Sequence, residues 1–169
     1  LDVLRSYGIP ISSDEKYDLM TRNYIEEIIN FVKLSCIEFD DILMFKVMKS
    51  KLFNFSDDEL VSIRKLDYKA RFYETVYKFD NLEDCELKNK VNEFVNKLRK
   101  FKNLSKRRTL QEISKEVINE FELYKINLFS YDGQKINDEI DKFLTRIPNK
   151  TAYDFLINYP EFKMVFENE

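Results

Sequence analysis

The chain has 169 residues, 44% of them hydrophobic, with two glycines, three prolines and a formal net charge of −3. So few turn formers exclude a β-sandwich or barrel, and the negative balance excludes an overall basic field for nucleic acid. The chain has no histidine, which excludes Ser-His and Cys-His nucleophiles and histidine-bound zinc.

Leu1 to Ile11 reads as the last turns of a helix, ended by Gly8 at the C′ position and by Pro10. Ile9 to Ser12 reads as one short orphan strand or a loop, because a lone strand has no stability of its own. Tyr24 to Leu34 is an amphipathic helix with Ile25, Ile28, Ile29 and Val32 on one face. Another helix starts at Asp40. Its Ile42, Leu43, Phe45, Val47 and Met48 are dense enough to predict burial of most of its surface. Leu52, Phe53 and Phe55 make an apolar connection, which predicts a buried turn. Ser56 and Glu59 have capping-box spacing, and Asp57 and Asp58 add charge that suits a helix start.

This capped helix runs through Leu60 to Leu66. Ala70 to Phe79 follows with an aromatic face, and Asp80 to Asp84 is a polar break. Leu87, Val91, Phe94, Val95, Leu98 and Phe101 then mark the stripe of a long helix. Thr109 and Glu112 repeat the capping-box spacing before Leu110, Ile113, Val117 and Phe121. Asn127 to Gln134 reads as a loop with an Asp132-Gly133 turn. A helix through Ile136, Ile140, Phe143, Leu144 and Ile147 stops near Pro148. Thr151 caps a last helix through Phe155, Leu156 and Ile157, ended by Pro160. The pattern predicts an all-α, irregular multi-helix bundle in a single domain over 1–169, with at most that one orphan strand near the N-terminus.

No GxxxxGKS/T or GxGxxG phosphate loop is present, and no catalytic constellation emerges. Nothing resembles a signal peptide or a membrane span. Cys36 and Cys85 lack CxxC spacing and read as ordinary thiols of a reducing cytosol. The acids Asp40, Asp41, Asp57, Asp58 and Glu59 could bind a divalent metal, but helix capping already accounts for them. The cluster Lys97, Arg99, Lys100, Lys102, Lys106, Arg107 and Arg108 has two readings. It complements a helix C-terminal dipole, or it takes DNA phosphates without regard to sequence.

Gly8-Ile-Pro-Ile11, the Tyr24 to Leu34 helix and the run Asp40 to Leu60 resemble the UvrD-type superfamily-one DNA helicases, and more narrowly the AddA proteins, which combine helicase and nuclease. In that family a "GIPV" strand leads from a motor domain into a helical insertion, the 2B subdomain. The insertion's pattern "DD…LxxVLKSPLFGLSEDEL" is matched at Asp40, Asp41, Val47, Met48, Lys49, Ser50, Leu52, Phe53, Ser56, Asp58, Glu59 and Leu60. Asn137 to Leu144 and Thr151 to Leu156 resemble the family's "DxxDEFL" and "SLxxFL" helices. Lys51 replaces the usual proline and Asn54 the usual glycine, which predicts a positive φ at Asn54.

The resemblance implies a 2B-like insertion excised from a longer protein, with residues 1–12 as the junction to a motor domain. A start at Leu1 rather than Met agrees with that expectation. It implies an accessory domain, not itself an enzyme, of a cytoplasmic ATP-dependent DNA helicase and exonuclease acting in double-strand-break repair and recombination. The domain would contact duplex DNA and regulate unwinding. ATP, a divalent metal and the catalytic residues would all belong to the parent, leaving no catalytic, cofactor or metal site here. Partners would be duplex DNA, the rest of the motor and a partner nuclease chain, with no membrane. Lys97, Lys100, Arg107 and Arg108 are the expected DNA contacts. The alternative is a stand-alone protein–protein interaction module with a groove of exposed aromatics such as Tyr73 and Tyr77.

Overall fold

Asp14–Cys36 forms α1, the helix on which the others converge in a computed structural model of the chain. The structure describes residues 14–37, 39–79, 86–147 and 149–158, with side chains from residue 23 to 156 within them. The expected N-terminal strand, the Asp80 to Asp84 break, the Pro160 stop and Cys85 lie outside the described residues. Among the described residues the architecture is all-α, with no strand and one isolated bridge between Thr109 and Thr151.

The helices that follow are α2 (Asp41–Lys49), α3 (Asp57–Lys65), α4 (Phe72–Phe79), α5 (Glu86–Ser105), α6 (Leu110–Glu120), α7 (Leu123–Leu128), α8 (Gly133–Arg146) and α9 (Ala152–Asn158). Helix α1 packs against α2, α5, α6, α8 and α9. The reason is its apolar spacing: Ile28, Phe31, Val32 and Leu34 are all fully buried and form one broad apolar face. Phe31 sits in an aromatic cluster, with ring centroids 5.0 Å from Phe101, 5.4 Å from Phe53 and 5.6 Å from Phe121. Phe53 also meets Phe94 edge-on at 4.8 Å. Such offset and edge-on pairs add about 0.5–1.5 kcal/mol each beyond area burial.

The Asp40 to Leu60 stretch folds as its local signals require. Asp40 caps α2, accepting a hydrogen bond from the Leu43 N–H at 2.9 Å. Ser56 and Glu59 form a reciprocal capping box on α3. Between them Asn54 takes φ 52°, the left-handed conformation expected where the family has glycine. Its N–H donates to the Ser50 carbonyl at 2.7 Å, closing the turn. Lys90 of α5 ties the turn to the bundle, donating to the Asn54 carbonyl at 2.9 Å and pairing with Glu59 at 2.8 Å. That ammonium holds the Glu59 carboxyl below its usual range. Lys51, standing where the family has proline, lays its ammonium over the Tyr24 ring at 4.3 Å. Its backbone N–H also serves the half-buried Glu27, a donor proline lacks, although burial still raises that carboxyl overall.

Three expectations are corrected here. Helix α2 is not buried all round: Ile42 is 73% and Phe45 41% exposed, while Leu43, Met44, Val47 and Met48 face the core. A nine-residue helix beside α1 and α4 has room to bury only one side. The connection is also buried unevenly, with Phe55 in the core and Leu52 and Phe53 half-buried. Residues 127–134 are likewise more than a loop. Leu123–Leu128 is helical, Gly133 begins α8, and only 129–132 connect the two.

A candidate nucleic-acid interface at the α5–α6 turn

The C-terminal half of α5 carries the cations. Val91, Phe94, Val95, Leu98 and Phe101 bury one face of α5, which leaves Arg99 and Lys100 exposed and Lys97 and Lys102 half-buried. The helix ends at Ser105, whose hydroxyl donates back to the Lys102 carbonyl at 2.9 Å. The Arg107 and Arg108 N–H groups then donate to the Leu104 carbonyl at 3.0 and 2.9 Å. This tight turn leaves Lys106, Arg107 and Arg108 exposed to solvent.

Thr109 starts α6 with the expected capping box. On its other side the turn is held by the α8–α9 connection. The Leu110 N–H donates to the Lys150 carbonyl at 2.9 Å and the Ala152 N–H to the Arg108 carbonyl at 3.2 Å. Thr151 caps α9 by accepting from the Asp154 N–H at 3.2 Å, as expected. The Thr109–Thr151 bridge thereby brings exposed Lys150 beside the basic turn. No sequence pattern announces that approach, because it depends on a pairing between residues distant in the chain.

The four expected contact residues fall into two pairs. Lys97 and Lys100 both reach Glu120 at the end of α6, at 3.2 and 2.5 Å. Lys97 also pairs with Glu93 and lies over the Phe121 ring. Their hydrogen bonds, Lys100 first, hold the Glu120 carboxyl below its usual range. The helix ends about 8–12 Å beyond this pair at 1.5 Å per residue, and Arg107 and Arg108 follow its end. Arg108 makes one loose pair with Glu112 at 3.5 Å, both side chains about half exposed. Such a pair contributes about 0–1 kcal/mol and yields readily to a better anion.

The start of α6 offers little to a phosphate through its backbone. Its Thr109, Leu110 and Glu112 N–H groups already have partners. Any anion would be held by arginine and lysine side chains, which suits sequence-independent phosphate contact. Among the described residues no group of three or more Cys, Asp or Glu is placed to hold a metal. No helix among them is long and apolar enough to cross a membrane. Tyr73 and Tyr77, the aromatics of the alternative reading, are half-buried against the core. Tyr73 stacks edge-on with Phe39 at 5.1 Å.

No family model matches the chain. It is similar to the AddA chain of the ATP-dependent helicase/nuclease of Geobacillus thermodenitrificans strain NG80-2, 26% identical over 129 residues, 73% of this chain and 10% of that protein. It matches the AddA chain of Ruminiclostridium cellulolyticum at 22% identity over 161 residues, 94% of this chain and 13% of the relative. That of Clostridium botulinum strain Loch Maree is 27% identical over 164 residues, 90% of this chain and 12% of the relative. The chain thus spans about a tenth of the length of the curated relatives it matches. The matched segment takes in both the capped α2–α3 turn and the basic turn where it runs to 90% or more of the chain, and over that length the chain is an AddA-related helical domain.

Proposed function

We propose that the chain is the 2B-like accessory domain of an ATP-dependent DNA helicase and exonuclease of double-strand-break repair and recombination, and that it contacts duplex DNA through the α5–α6 turn. The relatives carry the words helicase and nuclease in their names. The observation that carries the DNA contact is the pair Arg107 and Arg108, exposed on a turn that backbone hydrogen bonds hold from both sides. Cations carried on a fixed backbone turn hold phosphate at less entropic cost than cations on a mobile segment. Lys100 and Lys97 add positive charge behind them, shared with Glu120.

The domain itself would catalyse nothing. ATP and a divalent metal would serve the parent enzyme, which would work in the cytoplasm with a partner nuclease chain. The domain would regulate unwinding by holding duplex against the rest of the motor. Duplex DNA binding by the 169-residue chain, titrated across salt, tests this reading. Affinity should fall steeply with salt, and Arg107→Ala/Arg108→Ala should reduce the log–log slope by about one per lost phosphate contact. Identical binding by the variant and the parent chain would remove the turn from the interface.

A further inference from the structure

The Thr109–Thr151 bridge joins two segments that are distant in the chain, 106–112 and 149–154. Its antiparallel register sets Leu110 opposite Lys150 and Arg108 opposite Ala152. One backbone hydrogen bond holds each of these pairs, from Leu110 to Lys150 and from Ala152 to Arg108. Arg108 and Lys150 are therefore diagonal neighbours, with backbones about 7–8 Å apart and within reach of long side chains. Both are exposed, as are Lys106 and Arg107.

The charge of the joined segments is one-sided. They carry Lys106, Arg107, Arg108 and Lys150 against Glu112 and Asp154. Each acid serves the start of its own helix. Glu112 accepts from the Thr109 N–H at 2.9 Å and reaches Arg108 only loosely, at 3.5 Å. Asp154 accepts from the Thr151 hydroxyl at 2.5 Å. Tyr153, 46% exposed, is the one aromatic residue of the two segments. A single ring does not make the row of faces on which unpaired bases stack, so the surface suits a phosphate backbone rather than bases.

We infer that Lys150 is a further phosphate contact, and that the duplex is gripped from two segments, with Lys150 on a phosphate next to the one held by Arg108. Phosphates of one strand follow at about 3.4 Å of helix axis, so a reach of about 7–8 Å spans neighbouring ones. This rests on the reading of the α5–α6 turn as a duplex contact. Lys150 reaches that place through the bridge, so the grip requires the α8–α9 connection to stay seated on the turn.

Binding of a duplex oligonucleotide to the 169-residue chain, titrated across salt, tests the assignment. Lys150 holds Leu110 through its carbonyl, which every side-chain variant keeps. Lys150→Ala should lower the log–log slope by about one, and Lys150→Arg should restore it. Added to Arg107→Ala/Arg108→Ala, it should lower the slope by about one more, as a separate phosphate requires. Lys135→Ala controls for net charge, since Lys135 lies in the first turn of α8, about 16 Å of helix before Arg146. An equal loss of slope in Lys135→Ala would overturn the inference. An unchanged slope in Lys150→Ala, with Arg107→Ala/Arg108→Ala still lowering it, would overturn the inference and leave the turn reading standing. Unchanged slopes in both would overturn both. Tighter binding of a single-stranded oligonucleotide, lost in Tyr153→Ala, would assign the surface to bases and also overturn the inference.

Discussion

Gly133→Ala sets helix propensity against geometry. At an ordinary helical position the change favours the helix by about 1 kcal/mol. Here the added Cβ would lie 1.6 Å from the Asn127 carbonyl oxygen and 2.4 Å from its carbon, where contacts below 3.0 Å essentially never occur. The obstacle is backbone, so no rotamer relieves it, and the start of α8 must move away from α7. That movement strips the Asn127–Asn137 bond and loosens Asn137 from the Tyr124 carbonyl. Each buried polar group left without its partner costs about 1–3 kcal/mol. Two such losses, less the propensity gain, give about 3 kcal/mol of destabilisation. For a domain of this size that lowers Tm by about 6–12 °C. Urea unfolding followed by circular dichroism should show a lower midpoint with an unchanged m-value. A midpoint equal to or above that of the parent chain would mean that α7 and α8 do not approach in this way.

The α2–α3 turn yields two further predictions. Asn54 at φ 52° should tolerate glycine with little loss, while Asn54→Val should cost about 1–2 kcal/mol in urea unfolding; equal stabilities for the two variants would refute the left-handed turn. Glu59 and Glu120 are both held below the ordinary carboxylate value of 4.5 in the native state, first of all by Lys90 and Lys100. Their stabilising contribution is therefore complete above that value and is lost as pH falls through the depressed native ones. Urea midpoints measured from about pH 7 down to about pH 3 should fall, and Glu59→Gln should flatten part of that fall; an unchanged pH profile in the variant would exclude the Lys90 linkage.

Local signals in this sequence translate directly into structure. Ser56 with Glu59, and Thr109 with Glu112, need only three-residue spacing to form their boxes, and both boxes form. Asn54 needs only a turn of fixed length, and it takes the glycine's conformation. What fails depends on partners. Ile42 and Phe45 look like core in a list of apolar residues, but which side of α2 meets α1 is decided by the packing of the whole bundle. Helix α7 escapes notice because it is six residues long and follows Glu122, a non-glycine residue at φ 48°. The cations of α5 are visible as charge, yet the sequence does not say that Glu120 meets two of them or that Lys150 approaches Arg108. Asp40 to Leu60 carries the family resemblance, whereas α1 holds the bundle together.

That central position of α1 bears on how the chain is made. It is the first described helix to leave the ribosome, and α9, one of its packing partners, is the last. At about 5–20 residues per second, α9 follows α1 by roughly 6–23 s. For that interval Ile28, Phe31, Val32 and Leu34 lack part of their final cover, although α2 and then α5 arrive sooner. Translation speed and holding chaperones act within this window, so among the described helices the one that stabilises the finished bundle is also the one that waits longest for its full cover.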